Sequence, residues 1–496
     1  MKVSFQRIFK LLLILISILP RNIQNKNLNI EKTTFFKDGR DEIYRPKIHF
    51  SPSKNWMNDP NGMVFFNGVY HLYFQYNPKG DKWGNMSWGH ATSPDLIHWE
   101  EQPVAILPNE LGDIFSGSCV IDKENTAGYG KNVLFAIYTS SNPIQQQSIA
   151  YSFDNGQTFT NYPENPVIPN DDDNLRDPKV FWHEQNKKWV MVLAKGWAKG
   201  VEIYSSKNLK TWEHLSTFLV ELPDMEEFQW ECPELLEFDY KNEKKWVLLV
   251  SVNPRSEVLG SGTMYFVGNF DGTTFTADPL NYPLWLDYGM DNYAGVTFSN
   301  FGKRKVLIGW MNNWLYGEDI PCSPWRSAMT LPRELKLIEF EDKPLLANTV
   351  VDEIYKIAGT WKRVINEFQP GVAYQLKLQI SLNTDSVITL YNEEGQKFVF
   401  EINASSRKII AYRNGSTGKS DFNGKFVIPS LEAPLNVAGY IVTLNFFVDQ
   451  SSVEVLTENG SMSMTNIVFP SSIYNRLSVE GDYFIAQMRP LKSIWN

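Results

Sequence analysis

The sequence predicts an all-β protein, a five-bladed β-propeller followed by a C-terminal β-sandwich. Three observations predict it: five strand-sized apolar runs recur at a nearly constant interval, a second element recurs out of phase with them, and past residue 361 the pattern changes to strict alternation.

The apolar runs are VYHLYFQY from Val69, VLFAIYT from Val133, WVMVLAK from Trp189, WVLLVSV from Trp246 and VLIGWMN from Val306, with starts 64, 56, 57 and 60 residues apart. Each is rich in β-branched and aromatic residues and bounded by polar turns, as suits a strand buried on both faces. The second element is SPDLIHW, SFDNGQTF, SSKNLKTW and NFDGTTF, closing on Trp99, Phe159, Trp212 and Phe275 at intervals of 60, 53 and 63. In each, a strand-like segment enters an Asp- or Asn-centred turn and leaves on an aromatic, as one hairpin reused would. A chance set of hairpins in a large sandwich would not hold two different elements to nearly one period. Repeats of this length in a β-rich chain read as propeller blades of about four strands, and five runs imply five blades over residues 45–335.

Residues 336–361 read as a connector. From Tyr374, YQLKLQISL alternates, with Leu376, Leu378, Ile380 and Leu382 on one face, and SVITLY, KFVFEI, KIIAY, YIVTLNFFV and SVEVL follow between short polar turns. Alternation in several short strands predicts a sandwich over 362–496 with one wet face per sheet, and Asp449-Gln450-Ser451-Ser452 reads as a hairpin loop. At the other end, Lys2, Arg7 and Lys10 precede an apolar run from Leu11 to Leu19. This is the layout of an export signal over residues 1–20, too short for the ~20 residues of a membrane span. Residues 21–44 then form a lead-in, and the expected location is extracellular, periplasmic or cell-surface.

The 496 residues, 43% hydrophobic and 14% aromatic, can bury more than one core. A formal net charge of −9 without a long basic run argues against nucleic acid or an anionic membrane as partner, since both would be repelled. A neutral ligand is left. Cys119, Cys232 and Cys322 are too few for a disulfide framework and match no zinc spacing. The six histidines form no HExxH, and GxSxG, P-loop and GxGxxG motifs are missing. No metal and no cofactor is expected.

Three acidic residues stand out for their neighbours: Asp59 in NWMNDPNG, Asp177 in NLRDPKVFW and Glu231 in QWECPEL. Asn-Asp-Pro-Asn-Gly is rich in turn formers and reads as a tight turn. Each acid lies beside an apolar run of a different blade, so all three can converge on the propeller axis. Bland alternatives exist: Asp177 beside Arg176 fits a surface ion pair, and Glu231 has rivals in Glu226, Glu227 and Glu234. An exported chain, a neutral ligand and grouped carboxylates suggest glycoside hydrolysis, in which one carboxylate attacks the anomeric carbon and a carboxylic acid protonates the leaving oxygen.

WMNDPNG, FSGS at 115–118, RDP at 176–178, WECP at 230–233, SPWRSAMTLPREL at 323–335 and the later DQSSVEVL, in this order, resemble the family 32 glycoside hydrolases. These are the invertases, inulinases and levanases that cut β-fructofuranosidic bonds. The resemblance implies the same two-domain fold that the repeats predict. It also implies Asp59 as nucleophile, Glu231 as general acid/base and Asp177 as transition-state stabiliser in a retaining reaction through a covalent fructosyl-enzyme. Asn58, Gln75, Trp83, Phe115, Ser116, Arg176 and Trp310 would line the fructose pocket, with Tyr293 and Asp291 as weaker picks and Cys232 as a packing residue. The amides of Asn58 and Asn61 would keep Asp59 ionised, while an apolar setting after Trp230 would favour protonated Glu231. The expected substrate is sucrose, inulin or levan, losing terminal fructose. Fructosyl transfer on the same scaffold, or a propeller that binds carbohydrate without turnover, are the alternatives.

Overall fold

The computed structural model describes residues 40–142, 144–169, 174–222, 228–255 and 259–495. The expected export signal, most of the lead-in, and Glu226 and Glu227 lie outside the described residues.

Five sheets, antiparallel except where Asn55 and Trp56 pair in parallel with Trp325 and Arg326, form the first part, with inner strands Asn55–Phe66, Asp113–Asp122, Leu175–His183, Gln229–Tyr240 and Tyr293–Thr297. Each inner strand contacts the next, and the fifth contacts the first, so the five close into a ring. The apolar runs are the second strands, Val69–Asn77, Val133–Ser141, Lys188–Lys195, Glu243–Asn253 and Val306–Met311, sandwiched between neighbouring blades and buried on both faces. The second repeated element joins the third and fourth strands of four blades. In each, one side chain accepts from backbone N–H groups two and three, or three and four, residues on: Asp95 from Ile97 and His98, Asp154 from Gln157 and Thr158, Asn208 from Lys210 and Thr211, and Asp271 from Thr273 and Thr274. This Asx geometry explains why only Asp or Asn occupies the position.

Two expectations need correction. The segment Asn-Asp-Pro-Asn-Gly is not a tight turn; it lies inside the twelve-residue inner strand Asn55–Phe66. Its turn-forming residues are spent on two bulges, between Met57 and Pro60 and between Asn61 and Val64. Gly62 has φ 53°, and a Cβ there would lie 2.7 Å from the Trp88 ring. Likewise, the connector expected over 336–361 is partly blade: Arg333–Phe340 and Lys343–Val350 pair as the outer hairpin of the fifth sheet. Outer strands face water on one side, so their charged alternation reads as linker.

The second part is a six-stranded sheet packed on a five-stranded one. Leu376, Leu378 and Ile380 from one sheet meet Ile388, Leu390, Phe398 and Phe400 from the other in a common core. Among the described residues no helix is long and apolar enough to cross a membrane.

Buried charge joins the two parts. Arg333, at the start of the fifth blade's outer hairpin, donates to Asp287, to Asn348 and, across the junction, to Glu454 and Thr465. His49 bridges Asp449 (Nδ1, 2.8 Å) and Glu454 (Nε2, 2.6 Å), and Arg413 donates to Asp291 and Tyr316. Asp449, expected in a hairpin loop, also accepts from the backbone of Lys47 and Ile48.

Removing one member strands its partners without water. Arg333→Met is expected to lower unfolding stability by ~3–5 kcal/mol in a urea titration. Burial disfavours charged His49, but Asp449 and Glu454 outweigh it and lift its pKa to about 9. A raised pKa gives stability that is complete below the unfolded value of ~6.5 and lost as pH rises through about 9. Melting curves of the parent are expected to fall across that window, and those of His49→Gln to fall less.

Candidate active site

All five inner strands carry a bulge at the same level. In each, three residues along the inner strand span two on its partner: Met57 to Pro60 against Tyr76 to Phe74, Ile114 to Gly117 against Ser140 to Tyr138, Arg176 to Lys179 against Ala194 to Val192, Glu231 to Glu234 against Ser251 to Leu249, and Tyr293 to Val296 against Trp310 to Ile308. Consecutive residues of a regular strand face opposite sides. One extra residue breaks that alternation, and adjacent pairs now face the same space: Asn58 with Asp59, Phe115 with Ser116, Arg176 with Asp177. With Glu231, Gln75, Trp83, Gln145, Gln229, Asn253 and Trp314 they line a cavity of about 320 Å³. The extra residue has left-handed backbone in three blades, at Asp177 (φ 63°), Cys232 (φ 45°) and Ala294 (φ 53°). Such conformations cost ~1–3 kcal/mol each and persist where the surroundings fix them.

The polar groups form one connected chain. Asp59 accepts from Asn58 Nδ2 at 3.0 Å on one oxygen, and from Ser116 Oγ at 2.7 Å and Cys232 Sγ at 3.5 Å on the other. The same sulfur lies 3.7 Å from Asp177 Oδ2, which also accepts from the Cys232 backbone N–H at 3.0 Å. Arg176 Nε stands 3.7 Å from Asp177, while its Nη2 donates to Glu231 Oε1 at 2.7 Å. The Tyr293 hydroxyl donates to Glu231 Oε2. Asn174 Oδ1 anchors the rim, accepting from Arg176 Nη1 at 2.7 Å and Gln229 Nε2 at 3.0 Å.

Asp177 and Glu231 thus share one guanidinium, and Asp59 is joined to Asp177 through Cys232. Burial, then the neighbouring Glu231, push the Asp59 pKa up, against the pull of Asn58, Ser116 and Cys232. Asp177 is pushed up to about 7, first by burial and then by Glu231 and Asp59, with Arg176 and the Cys232 N–H opposing. The expectation that amides hold Asp59 low is therefore corrected: three donors do reach it, but desolvation and a like charge dominate. The setting of Glu231 also differs from the apolar one expected. Trp230 faces the other way into the core between the third and fourth blades, as strand alternation requires, and Glu231 meets Arg176 and Tyr293 instead.

Of the other expected residues, Gln75 reaches the cavity and donates to Asn61, and Trp83 lines it edge-on to Phe115. Trp310 does not reach it. It is 0% exposed, lies beneath Trp56 and Trp314, and donates to Met57 O, so Trp314 presents the indole in its place. Glu234, a rival to Glu231, is sealed below the cavity by Lys179 and Thr297. Asp291 belongs to the domain junction. Tyr293 and Cys232 do more than their sequence reading allowed, the first bonded to Glu231 and the second lodged between two aspartates. A signal for both was present: NDP, FSG, RDP, ECP and YAG begin at 58, 115, 176, 231 and 293, a third element at the blade period. It sets Tyr293 level with Glu231 and Cys232 level with Asp59 and Asp177. Gln145, Gln229 and Asn253 carry no such mark.

Comparison with known proteins agrees with this geometry. Residues 49–349 match the glycosyl hydrolases family 32 N-terminal domain, and residues 351–486 match the family 32 C-terminal domain. This chain belongs to glycosyl hydrolase family 32. It is 44% identical to a levanase of Bacillus subtilis over 92% of its own length and 71% of that protein. The crystal structure of exo-inulinase from Aspergillus awamori superposes with a TM-score of 0.85 at 38% identity, covering 92% of this chain and 100% of that one. A fructofuranosidase from Schwanniomyces occidentalis, solved in complex with fructose, superposes at 0.81 with 31% identity, covering 92% and 99%. The family-32 chain is accordingly a glycoside hydrolase with a propeller and a sandwich domain.

The Cys232 thiol is a donor here and not a nucleophile, because burial, then Asp177, Asp59 and Glu231, push its pKa far up. Burial does the same to Cys119, and lifts Cys322 to about 12. Iodoacetamide is expected to label none of the three cysteines in the native protein and all three after unfolding, counted by intact mass. In Cys232→Ala the lost donor raises the Asp59 pKa further, so the acid limb of kcat/KM should move to higher pH by less than about one unit, since a thiol is a weak donor. Cys232→Ser should hold the limb in place.

Proposed function

We propose that the protein is an exported, exo-acting β-fructofuranosidase that removes terminal fructose from fructans and sucrose with retention of configuration. The observation that carries this reading is the set of three carboxyl groups and one arginine meeting in a cavity closed from below. The larger cavity at the opposite mouth of the ring, about 640 Å³, shares no lining residue with it, and the buried Lys179–Glu234 pair belongs to that other side. A chain end can enter; a polymer cannot thread through.

In this reading Asp59 attacks the anomeric carbon of the bound fructose while Glu231 gives its proton to the departing glycosidic oxygen. This breaks the C–O bond and leaves a fructosyl ester on Asp59. Glu231, now a carboxylate, takes a proton from water, the water oxygen attacks the same carbon, and fructose leaves with Asp59 restored as a carboxylate. Asp177 and Arg176 hold the sugar hydroxyls. Burial and like charge hold Asp59 and Asp177 above the ordinary aspartate range. Substrate hydroxyls that donate to Asp59 and Asp177 favour their ionised forms. Ser116, Asn58 and Cys232 steady the Asp59 carboxylate for attack. The levanase and inulinase relatives favour a fructan as the substrate, and the extracellular description of an exo-inulinase of Aspergillus niger, 39% identical to this chain, agrees with export.

Incubation with sucrose, inulin and levan should release free fructose from the first time point; early oligosaccharides would contradict exo action, and no release from any of them would contradict the reading as a whole. Glu231→Gln is expected to lower kcat ~10²–10⁴-fold, with the first step, read as release of the leaving group, recovered on a fructoside whose leaving group needs no proton. Because Glu231 raises the Asp59 pKa, the acid limb of this variant on that fructoside should move to lower pH than in the parent.

A further inference from the structure

Of the sixteen tryptophans, only Trp83 and Trp197 are exposed, at 45% and 61%. An indole in water forgoes ~1.5–3 kcal/mol or more of burial, and a lone exposed apolar side chain would need no explanation. Both of these stand on the same face of the propeller. Trp83 lines the active-site cavity. Trp197 does not, and no part of the reaction described above uses it.

Its position follows from the third blade's hydrogen bonding. Arg176 pairs with Ala194, and Leu175 and Gly200 both pair with Lys195. The turn from Gly196 to Lys199 therefore lies at the end of the blade that holds Arg176. The turn is clamped on both sides. The Gly196 N–H donates to Asn174 O, and the Gly196 carbonyl accepts from Trp230 N–H, each at 3.1 Å. Asn174 is the residue that holds Arg176 and Gln229, and Trp230 lies between Gln229 and Glu231 in sequence. Gly196 is also pressed against the Asn174 side chain, where an added Cβ would meet Oδ1 at 2.6 Å. A large, flat, apolar ring is thus carried on a fixed turn one residue from the cavity's support. The turn that carries it meets the fourth blade at Trp230, while Trp83 lies against Phe115 of the second blade.

We infer that Trp197 is a contact platform for a fructan chain, stacking on a sugar unit that lies outside the cavity when the terminal unit is inside. The inference rests on the exo-hydrolase reading. The cavity holds the chain end, so the units behind it cross the rim, and their C–H faces are the apolar surface an exposed indole can cover. Held by a pinned turn, the ring loses little freedom on contact, and this keeps the contact favourable. Sucrose has no units beyond its glucose and would not reach Trp197, so the residue separates polymer from disaccharide.

The test is the ratio of two substrates in one variant. In Trp197→Ala, KM for inulin or levan should rise about three- to tenfold, the worth of one aromatic contact, with kcat unchanged, while kcat/KM for sucrose stays within about twofold of the parent. Trp197→Phe, which keeps a flat ring, should recover most of the fructan KM. An unchanged fructan KM in Trp197→Ala, or an equal loss on sucrose and fructan, would overturn the inference and leave the hydrolase reading standing. A parent that cleaves sucrose but no fructan would overturn it too, whereas a parent that cleaves none of the three removes the reading beneath it.

Discussion

In every blade the inner strand carries one residue more than its partner across a bulge, and that surplus falls at one level of the ring. The rest of the active site depends on this constraint. An unbulged strand offers the axis one side chain in two, and a five-stranded ring at one level would supply five groups. The bulge turns two neighbours inward together, which brings Asn58 to Asp59, Arg176 to Asp177 and Cys232 to Glu231 without any long loop. The groups stand on strands fixed on both sides by neighbouring blades, so their positions are inherited from the sheet.

The arrangement has an electrostatic consequence. Carboxyl groups on three separate blades are forced into one desolvated space with a single guanidinium, and Asp59 and Asp177 both rise above the ordinary aspartate pKa. Such a site opposes folding, and stabilisation comes from elsewhere in the molecule. Below the cavity, Glu234 is fully bonded by Lys179 and Thr297. At the domain junction, Arg333 pairs with Asp287 and, across the two parts, with Glu454, and Arg413 pairs across them with Asp291. The sandwich therefore anchors the fifth blade, and through it the closure of the ring.

Much of this was legible in the sequence for physical reasons. Strands buried on both faces must be continuously apolar, so the second strands announced the blade period. The Asx turns need one residue type at one place, so the hairpins repeated visibly. The sandwich strands alternate because one face is wet, and Leu376, Leu378 and Ile380 are all in the core. What stayed hidden depends on geometry that a linear pattern does not encode. A bulge is one residue of register, and Asn-Asp-Pro-Asn-Gly carries turn chemistry whether it makes a turn or a bulged strand. Trp310 and Trp314 differ by four positions and are chemically the same, yet only the second reaches the cavity. Glu231 seemed apolar because Trp230 is its neighbour in sequence, when its neighbours in space are a cation and a phenol.

The central claim is that the bulged ring delivers Asp59 and Glu231 to the two partners of one glycosidic bond. Rapid acid quench during turnover, followed by peptide mass spectrometry, tests it most directly. The expected result is a fructosyl ester on the peptide that carries Asp59, formed in the parent and accumulating in Glu231→Gln on a fructoside whose leaving group needs no proton, where only the hydrolysis of the ester is slowed. An ester on Asp177 or Glu231, or turnover with inversion and no covalent adduct, would contradict it.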